Sequence, residues 1–390
     1  MLNTLMQKKI LKKKINKIGL FISDEGYGHS ARQKTIIAEF IKYNPDIKIT
    51  IFNRKRLFFI KEYFGNKLKY KYYPDTLYTL KKKNGELDLN GTKKILINWP
   101  KKSNSVIKNL LKEKDLLDFD LIISDLVPEA FKLAKILNIP SYGIARFAWD
   151  WFFFKTELKS LKAIVLIKDY LQLSNNIFFS TFIKKKILSD NYFKFKDVNL
   201  IFNNNILNDQ TGDIFKSSNK FKCLIMDNGT KTNSILIGQT VKYLKNMKDI
   251  DFYLSIENFS EKLKLYVAEQ KNLIPIESLK NSHRLISYVD FLVARGGFNT
   301  ITEIIKFNKP ALLINEKNNP EIKENLKQMK KLDFCSIMQQ SSFKFNFQKK
   351  IYSFIKNDMK RIKNKLKSKK IKSNGATQIV ENIVKNYEKN

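Results

Sequence analysis

Short apolar runs alternate with amphipathic stretches along the first half of the chain. Ile18 to Ser23, Ile47 to Phe52 and Leu121 to Ser124 are strand-length runs that are apolar on both faces, the pattern of strands buried inside a parallel sheet. Between them, Ala31 to Tyr43 places Ile36, Ile37, Phe40 and Ile41 on one helical stripe, and Ala130 to Leu137 does the same with Phe131, Ala134 and Ile136. Strand, helix and strand in series predict βαβ units and a doubly wound sheet. The pattern restarts at Lys222 to Met226, followed by the loop Asp227 to Asn233 and a helical stretch Ser234 to Leu244. Further strands are expected at Phe252 to Ser255, Phe291 to Ala294 and Ala311 to Ile314. Two such halves predict two Rossmann-like α/β domains, residues 1–212 and 213–390, joined within the polar stretch Asn203 to Lys220.

Composition adds a charge. Lys and Arg number 73 against 37 Asp and Glu, a formal balance of +36. Such a field attracts phosphates, nucleic acid or anionic lipid; the plainer reading is a lysine-rich solvated surface, and both stand. No helix-turn-helix, RRM or zinc pattern accompanies the charge, so nucleic acid is not an expected partner. Cys223 and Cys335 share no spacing with each other or with His29 and His283, which suggests neither a disulfide nor a zinc site and fits a reducing cytoplasm. The basic start, Lys8 to Lys17, runs straight into the first strand instead of a long apolar region, and reads as an N-terminal arm. No apolar run approaches the roughly 20 residues needed to span a bilayer, so membrane contact is expected to be peripheral, on the inner face of the cell membrane. The aromatic segment Trp149 to Phe182, ending in Lys184, Lys185 and Lys186, has two readings: a membrane-interface or acceptor-binding segment, or a pair of helices packed on the core.

Four segments carry candidate chemistry. Arg295-Gly296-Gly297-Phe298-Asn299-Thr300-Ile301-Thr302-Glu303 sits between a strand and a helix, where glycines let backbone approach a ligand and a helix N-terminus offers free N–H groups to a pyrophosphate. Glu303, one turn inside, is placed to accept the hydroxyls of a ribose. Ser23-Asp24-Glu25-Gly26-Tyr27-Gly28-His29 follows the first strand and puts one of only two histidines at the mouth of the next helix, where it can take a proton from a hydroxyl near neutral pH; helix capping is the structural alternative. Asp125 ends a strand just before Pro128 and suits either a helix cap or a partner that orients the His29 imidazole. Asp227-Asn228-Gly229-Thr230-Lys231-Thr232-Asn233 opens the second half with amides and a hydroxyl suited to phosphate.

The segment from Arg295 to Glu303 resembles the donor-site motif of GT-B glycosyltransferases, in which an Asn, a Ser or Thr and a Glu take the places of Asn299, Thr300 and Glu303. Arg295 stands where the plant enzymes have a phosphate-facing His. Lys309-Pro310-Ala311-Leu312-Leu313-Ile314, then Glu321 and Asn325, are similar to the following strand and sugar-contacting segment, although Ile322 replaces the usual Gln. The Gly-Tyr-Gly-His segment is similar to those of several GT-B groups, including the glycosyltransferase-like half of arabinokinases and the nucleotide-sugar hydrolase of pseudaminic acid synthesis. UDP-glycosyltransferases and the N-acetylglucosaminyltransferase of peptidoglycan precursors are the relatives resembled as a whole.

The resemblance implies a GT-B fold, two Rossmann-like domains facing across a cleft. It further implies metal-independent inverting transfer of a hexosyl or N-acetylhexosaminyl group from a nucleotide-sugar, expected to be a UDP-sugar, to a glycan or lipid-linked acceptor of the cell envelope. His29 and Asp125 would be catalytic. Gly26, Gly28, Asn228, Gly229, Thr230, Arg295, Gly296, Gly297, Asn299, Thr300, Glu303, Glu321 and Asn325 would hold the donor, with no cofactor and no metal. A hydrolase of the same fold and a non-catalytic nucleotide-sugar or polyanion-binding module are the alternatives.

Overall fold

The computed structural model describes residues 14–25, 27–74, 76–82, 86–113, 118–159, 161–182, 194–202, 219–226, 238, 240–241, 243–256, 259–276, 285–339 and 346–389. Gly26, Asn228, Gly229, Thr230, His283, Lys184 to Lys186, the chain before Lys14 and most of the expected linker lie outside them.

The first sheet contains β1 (Lys17–Ile22), β2 (Lys48–Asn53), β3 (Lys69–Tyr72), β4 (Leu121–Asp125), β5 (Ser141–Ala145), β6 (Asn176–Ser180) and β7 (Phe195–Val198). They lie in the order β3-β2-β1-β4-β5-β6-β7 and every pairing is parallel. Its helices are α1 (Tyr27–Tyr43), α2 (Leu57–Phe64), α3 (Leu89–Leu110), α4 (Pro128–Ile136), α5 (Trp149–Phe154) and α6 (Lys162–Gln172). The second sheet contains β8 (Phe221–Met226), β9 (Ile250–Ser255), β10 (Leu273–Ile276), β11 (Phe291–Arg295), β12 (Ala311–Asn315) and β13 (Ser336–Gln339), parallel in the order β10-β9-β8-β11-β12-β13. Interleaved with it and after it run α7 (Glu261–Ala268), α8 (Phe298–Phe307), α9 (Pro320–Lys331), α10 (Phe347–Ser353), α11 (Met359–Ser368) and α12 (Gly375–Tyr387). These are the two Rossmann-like halves expected from the alternating pattern.

Strand order reverses between β1 and β4 in one sheet and between β8 and β11 in the other. Connections leave such a switch point in opposite directions, which opens a crevice beyond the carboxyl ends of the strands, where ligands of open α/β sheets bind. His29 follows β1, Asp125 ends β4 and the Arg295 loop leaves β11, all strands that flank a switch point.

Alternation along β1 explains the layering. Leu20 and Ile22 pack with Ile36, Ile37 and Phe40 of α1, while Phe21 points to the other face and stacks on Phe52. That second face is covered by α3, α4, α5 and α6 through Trp99, Phe131, Phe153 and Ile167. Trp149, Trp151, Phe152 and Phe153 are buried, so most of the aromatic cluster is packed core, with Phe154 and Val165 exposed, and the segment ends in an additional strand, β6. The second sheet has its own core, centred on Leu224, Tyr253, Leu292, Val293 and Ile301.

The last helix does not stay with the second sheet. Ile379, Val380, Ile383 and Tyr387 of α12 join the core over β1 and α1, and Asn199 N–H donates to Gln378 Oε1 at 2.8 Å. The chain therefore crosses back and is pinned to the first domain.

Candidate functional site

His29 lies in the first turn of α1, directly after β1. The register of β1 on β4 sets Ile22 beside Asp125, so the two strand ends bring His29 and Asp125 together. His29 Nδ1 is 2.7 Å from Asp125 Oδ1. Arg32, one turn along α1, donates from Nη2 to Oδ1 at 2.6 Å and from Nε to Oδ2 at 3.2 Å, and Gln33 Nε2 donates to Oδ2 at 2.6 Å. Asp125 is wholly buried, and burial alone would raise its pKa. Arg32 and His29 outweigh that and bring it down to about 2, so it is a carboxylate at neutral pH. Arg32 Nη2 also lies 3.2 Å from Nδ1; in the tautomer that donates Nδ1–H to the ionised Asp125, the lone pair is on Nε2, the arrangement a general base requires.

The turn that presents Asp125 is strained. Leu126 has φ 61°, a conformation costly for a residue with a branched side chain. It is held from both sides. Ser124 Oγ donates to Val127 O at 2.8 Å and accepts from Val127 N–H at 3.0 Å, and Trp149 Nε1 donates to Leu126 O at 2.9 Å.

In the second domain, β11 ends at Arg295 and α8 begins at Phe298, with Gly297 as its N-cap residue and no side chain capping it. The first amides of α8 thus lack intrahelical partners and form the positive end of the helix. Asn299 and Thr300 lie in that first turn, half-buried. A Cβ on Gly296 would sit 2.7 Å from Leu326 of α9, so glycine is what lets the loop lie flat on that helix; a Cβ on Gly297 would meet nothing within 4 Å. Ile322 is buried beneath the same loop and its side chain is spent on packing. Glu303, half-buried on α8, has no hydrogen-bond partner among the described residues, and burial pushes its carboxyl up to about 8.

Asn325 of α9 is buried and both ends of its amide are engaged. Its Nδ2 donates to Gly296 O at 3.1 Å and lies 3.5 Å from Glu321 Oε1, while its Oδ1 accepts from Arg146 Nε and Nη2 at 3.2 and 3.1 Å. Asn325 therefore ties the Gly296 loop to Arg146 of the first domain. Glu321 remains partly exposed beside it.

Three contacts join the domains at this point. Asn299 Nδ2 donates to Gly28 O at 2.8 Å, directly beside His29, and a Cβ on Gly28 would press on that amide at 3.1 Å. Arg146, at the end of β5, also donates to Gln328 Oε1 at 3.0 Å and lies 4.4 Å from the Phe298 ring centroid. Burial lowers its pKa to about 10, and it stays charged. Lys81 and Arg295 both pair with Glu316, which follows β12 and is almost wholly buried. Burial favours protonated Glu316, but the two cations hold it below the usual carboxylate range.

The arrangement places a buried His–Asp pair opposite a helix N-terminus, an Arg and an unpaired Glu. It is suited to removing a proton from a hydroxyl while a nearby anion is stabilised. Arg32, Gln33, Lys81, Arg146 and Glu316 were given no role from the sequence. Arg32 had a local signal, lying three residues from His29 on one helix face. The others meet only through the fold.

Residues 236–383 match the model of the glycosyltransferase family 28 C-terminal domain. No curated protein matches the chain significantly. Among solved structures, MurG of Acinetobacter baumannii is similar with 12% identity and a TM-score of 0.63, covering 95% of this chain and 99% of that one. UGT2 of Phytolacca americana, complexed with UDP-2-fluoro-glucose and pterostilbene, gives 11% identity and a TM-score of 0.65 over 96% and 100% of the two chains. Arabidopsis thaliana UGT89C1, complexed with UDP-L-rhamnose, gives 10% and 0.65 over 96% and 100%. The chain thus has the GT-B fold, and residues 236–383 are similar to the C-terminal domain of glycosyltransferase family 28.

Proposed function

We propose that this protein transfers a sugar, with inversion and without a metal, from a UDP-sugar to a hydroxyl of a cell-envelope glycan or lipid-linked saccharide. The observation that carries the proposal is the His29–Asp125 pair beside the Arg295 to Glu303 loop, with Asn299 bonded to the carbonyl of Gly28. His29 Nε2 removes the acceptor proton as its oxygen attacks the anomeric carbon. The bond from that carbon to the diphosphate breaks with its electron pair going to the phosphate oxygen. Asp125 keeps the imidazole in the right tautomer and balances the charge it gains. The amides of α8, Arg295 and Thr300 stabilise the leaving diphosphate, and Glu303 accepts from the ribose. UDP is favoured because two similar structures hold UDP-sugars.

We further propose that the acceptor side faces a membrane. Among the described residues no helix is long and apolar enough to cross one. Ile97 of α3, Phe154 of α5 and Val165 of α6 are exposed, α6 packs on both other helices, and the three carry Lys93, Lys94, Lys101 and Lys162, with Lys155 following α5. Exposed apolar side chains on lysine-bearing helices support peripheral attachment to the anionic inner face of the cell membrane.

Incubating the protein with a panel of nucleotide-sugars, with and without cell-envelope extract, tests the reading through release of free nucleoside diphosphate. Release only with extract is the expected result. Equal release without it would replace transfer by hydrolysis, and binding without release would leave a binding module.

A further inference from the structure

Lys81 belongs to the segment between β3 and α3, in the first domain, yet its ammonium pairs with a carboxylate of the second. The segment is held in place. Thr79 N–H donates to Glu25 Oε2 at 3.1 Å and its hydroxyl bonds the other oxygen of the same carboxylate, while Leu80 N–H donates to Thr92 Oγ1 at 3.1 Å. Glu25 precedes His29 by four residues, so Lys81 and His29 ride on one frame. On the other side Arg295 grips the same Glu316, which also accepts from Asn319 Nδ2 at 3.3 Å.

Stability gives no reason for this cluster. Glu316 is buried and its two cations are half-buried, so each loses hydration, and apolar side chains of similar size would do as well or better. The cluster also carries one net positive charge. It lies where β11 ends at the switch point, beside the uncapped start of α8 and the open side of Gly297.

We propose that Lys81 and Arg295, one from each domain, are the two cations that clasp the donor's diphosphate, and that Glu316 is an internal anion competing with it for them. The proposal rests on the donor-site reading above. Lys81 then adds to the leaving group a positive charge that arrives only with the domain carrying the base, which ties stabilisation of the diphosphate to correct apposition of acceptor and donor. Two cations held on one carboxylate beside the helix amides favour a diphosphate, whose two phosphates meet both cations and the amides together, over a single phosphate.

Calorimetric titration of uridine diphosphate, uridine monophosphate and inorganic pyrophosphate into the wild-type protein and into Lys81→Gln, Lys81→Arg and Glu316→Gln tests this. Loss of one charge-assisted hydrogen bond should weaken uridine diphosphate and pyrophosphate on the order of 10-fold in Lys81→Gln, with a smaller change for the monophosphate, and Lys81→Arg should restore most of it. Glu316→Gln should tighten both diphosphates several-fold. If Lys81→Gln binds them as the wild type does, Lys81 is no ligand and the proposal falls while the donor site stands. If Glu316→Gln weakens them as much as Lys81→Gln, the pair is only a strut between domains, and the proposal falls again. A wild-type protein that binds neither diphosphate overturns the donor-site reading and this proposal with it.

Discussion

Asp125 accepts four hydrogen bonds, from His29, Arg32 and Gln33, and this makes its role separable from that of the base itself. Arg32 already neutralises it, so Asp125→Asn should reduce turnover less than loss of His29, with nucleotide affinity unchanged by calorimetry. A full loss of affinity would mean the substitution has collapsed the site. Glu303 makes the opposite case, a carboxyl with no partner among the described residues. Its folded pKa of about 8 lies above the ordinary value of 4.5, so its contribution to stability is fully present below pH 4.5 and is lost as pH rises through 8. Glu303→Gln should therefore melt at nearly the wild-type temperature at pH 5 and above it at pH 9; an equal difference at both would contradict this. Glu303→Ala should cost nucleotide binding about 1–3 kcal/mol, and unchanged affinity in the folded variant would remove Glu303 from the ribose site.

At the scale of elements, the Gly296-Gly297 turn offers a paired test. Gly296→Ala drives a methyl into Leu326, which is buried and cannot swing away, and should cost stability about 1–3 kcal/mol. Gly297→Ala meets nothing and keeps an ordinary φ of −69°, so its fold should survive within about 0.5 kcal/mol while uridine diphosphate binding weakens. Equal melting temperatures for the two variants would contradict the packing, and undiminished binding by Gly297→Ala would contradict the approach of the donor. The central strands were legible because β1, β2, β4, β8, β9, β11 and β12 are buried and read as apolar runs. The others were not. β3 is Lys-Tyr-Lys-Tyr at an edge, β5 is interrupted by Gly143, β7 is half charged and β10 carries Pro275, which only an edge tolerates. The motifs around His29, Asp125 and Arg295 showed because each lies where a strand turns into a helix. Lys81 and Glu316, 235 residues apart, carry no local pattern at all.

The whole molecule is two sheets tied by Asn299, Arg146 and Lys81 on one side and by α12 crossing back on the other. Those ties are directed at the base and the donor loop, whereas the charge excess of +36 is spread over the chain. Attachment to membranes through that excess should fade with salt, since exposed charges are screened beyond about 8 Å at physiological ionic strength. Co-sedimentation with vesicles rich in anionic lipid should be strong at low salt and lost at high salt; no co-sedimentation even at low salt would reduce the lysines to solvation. The central claim is narrower, that His29 is the base of a transfer reaction. Its most direct test compares turnover and uridine diphosphate affinity of the wild type and His29→Ala with the same UDP-sugar and acceptor extract. The account predicts turnover lower by about 10²–10⁴-fold with affinity nearly unchanged. A folded His29→Ala protein that keeps full turnover would contradict it.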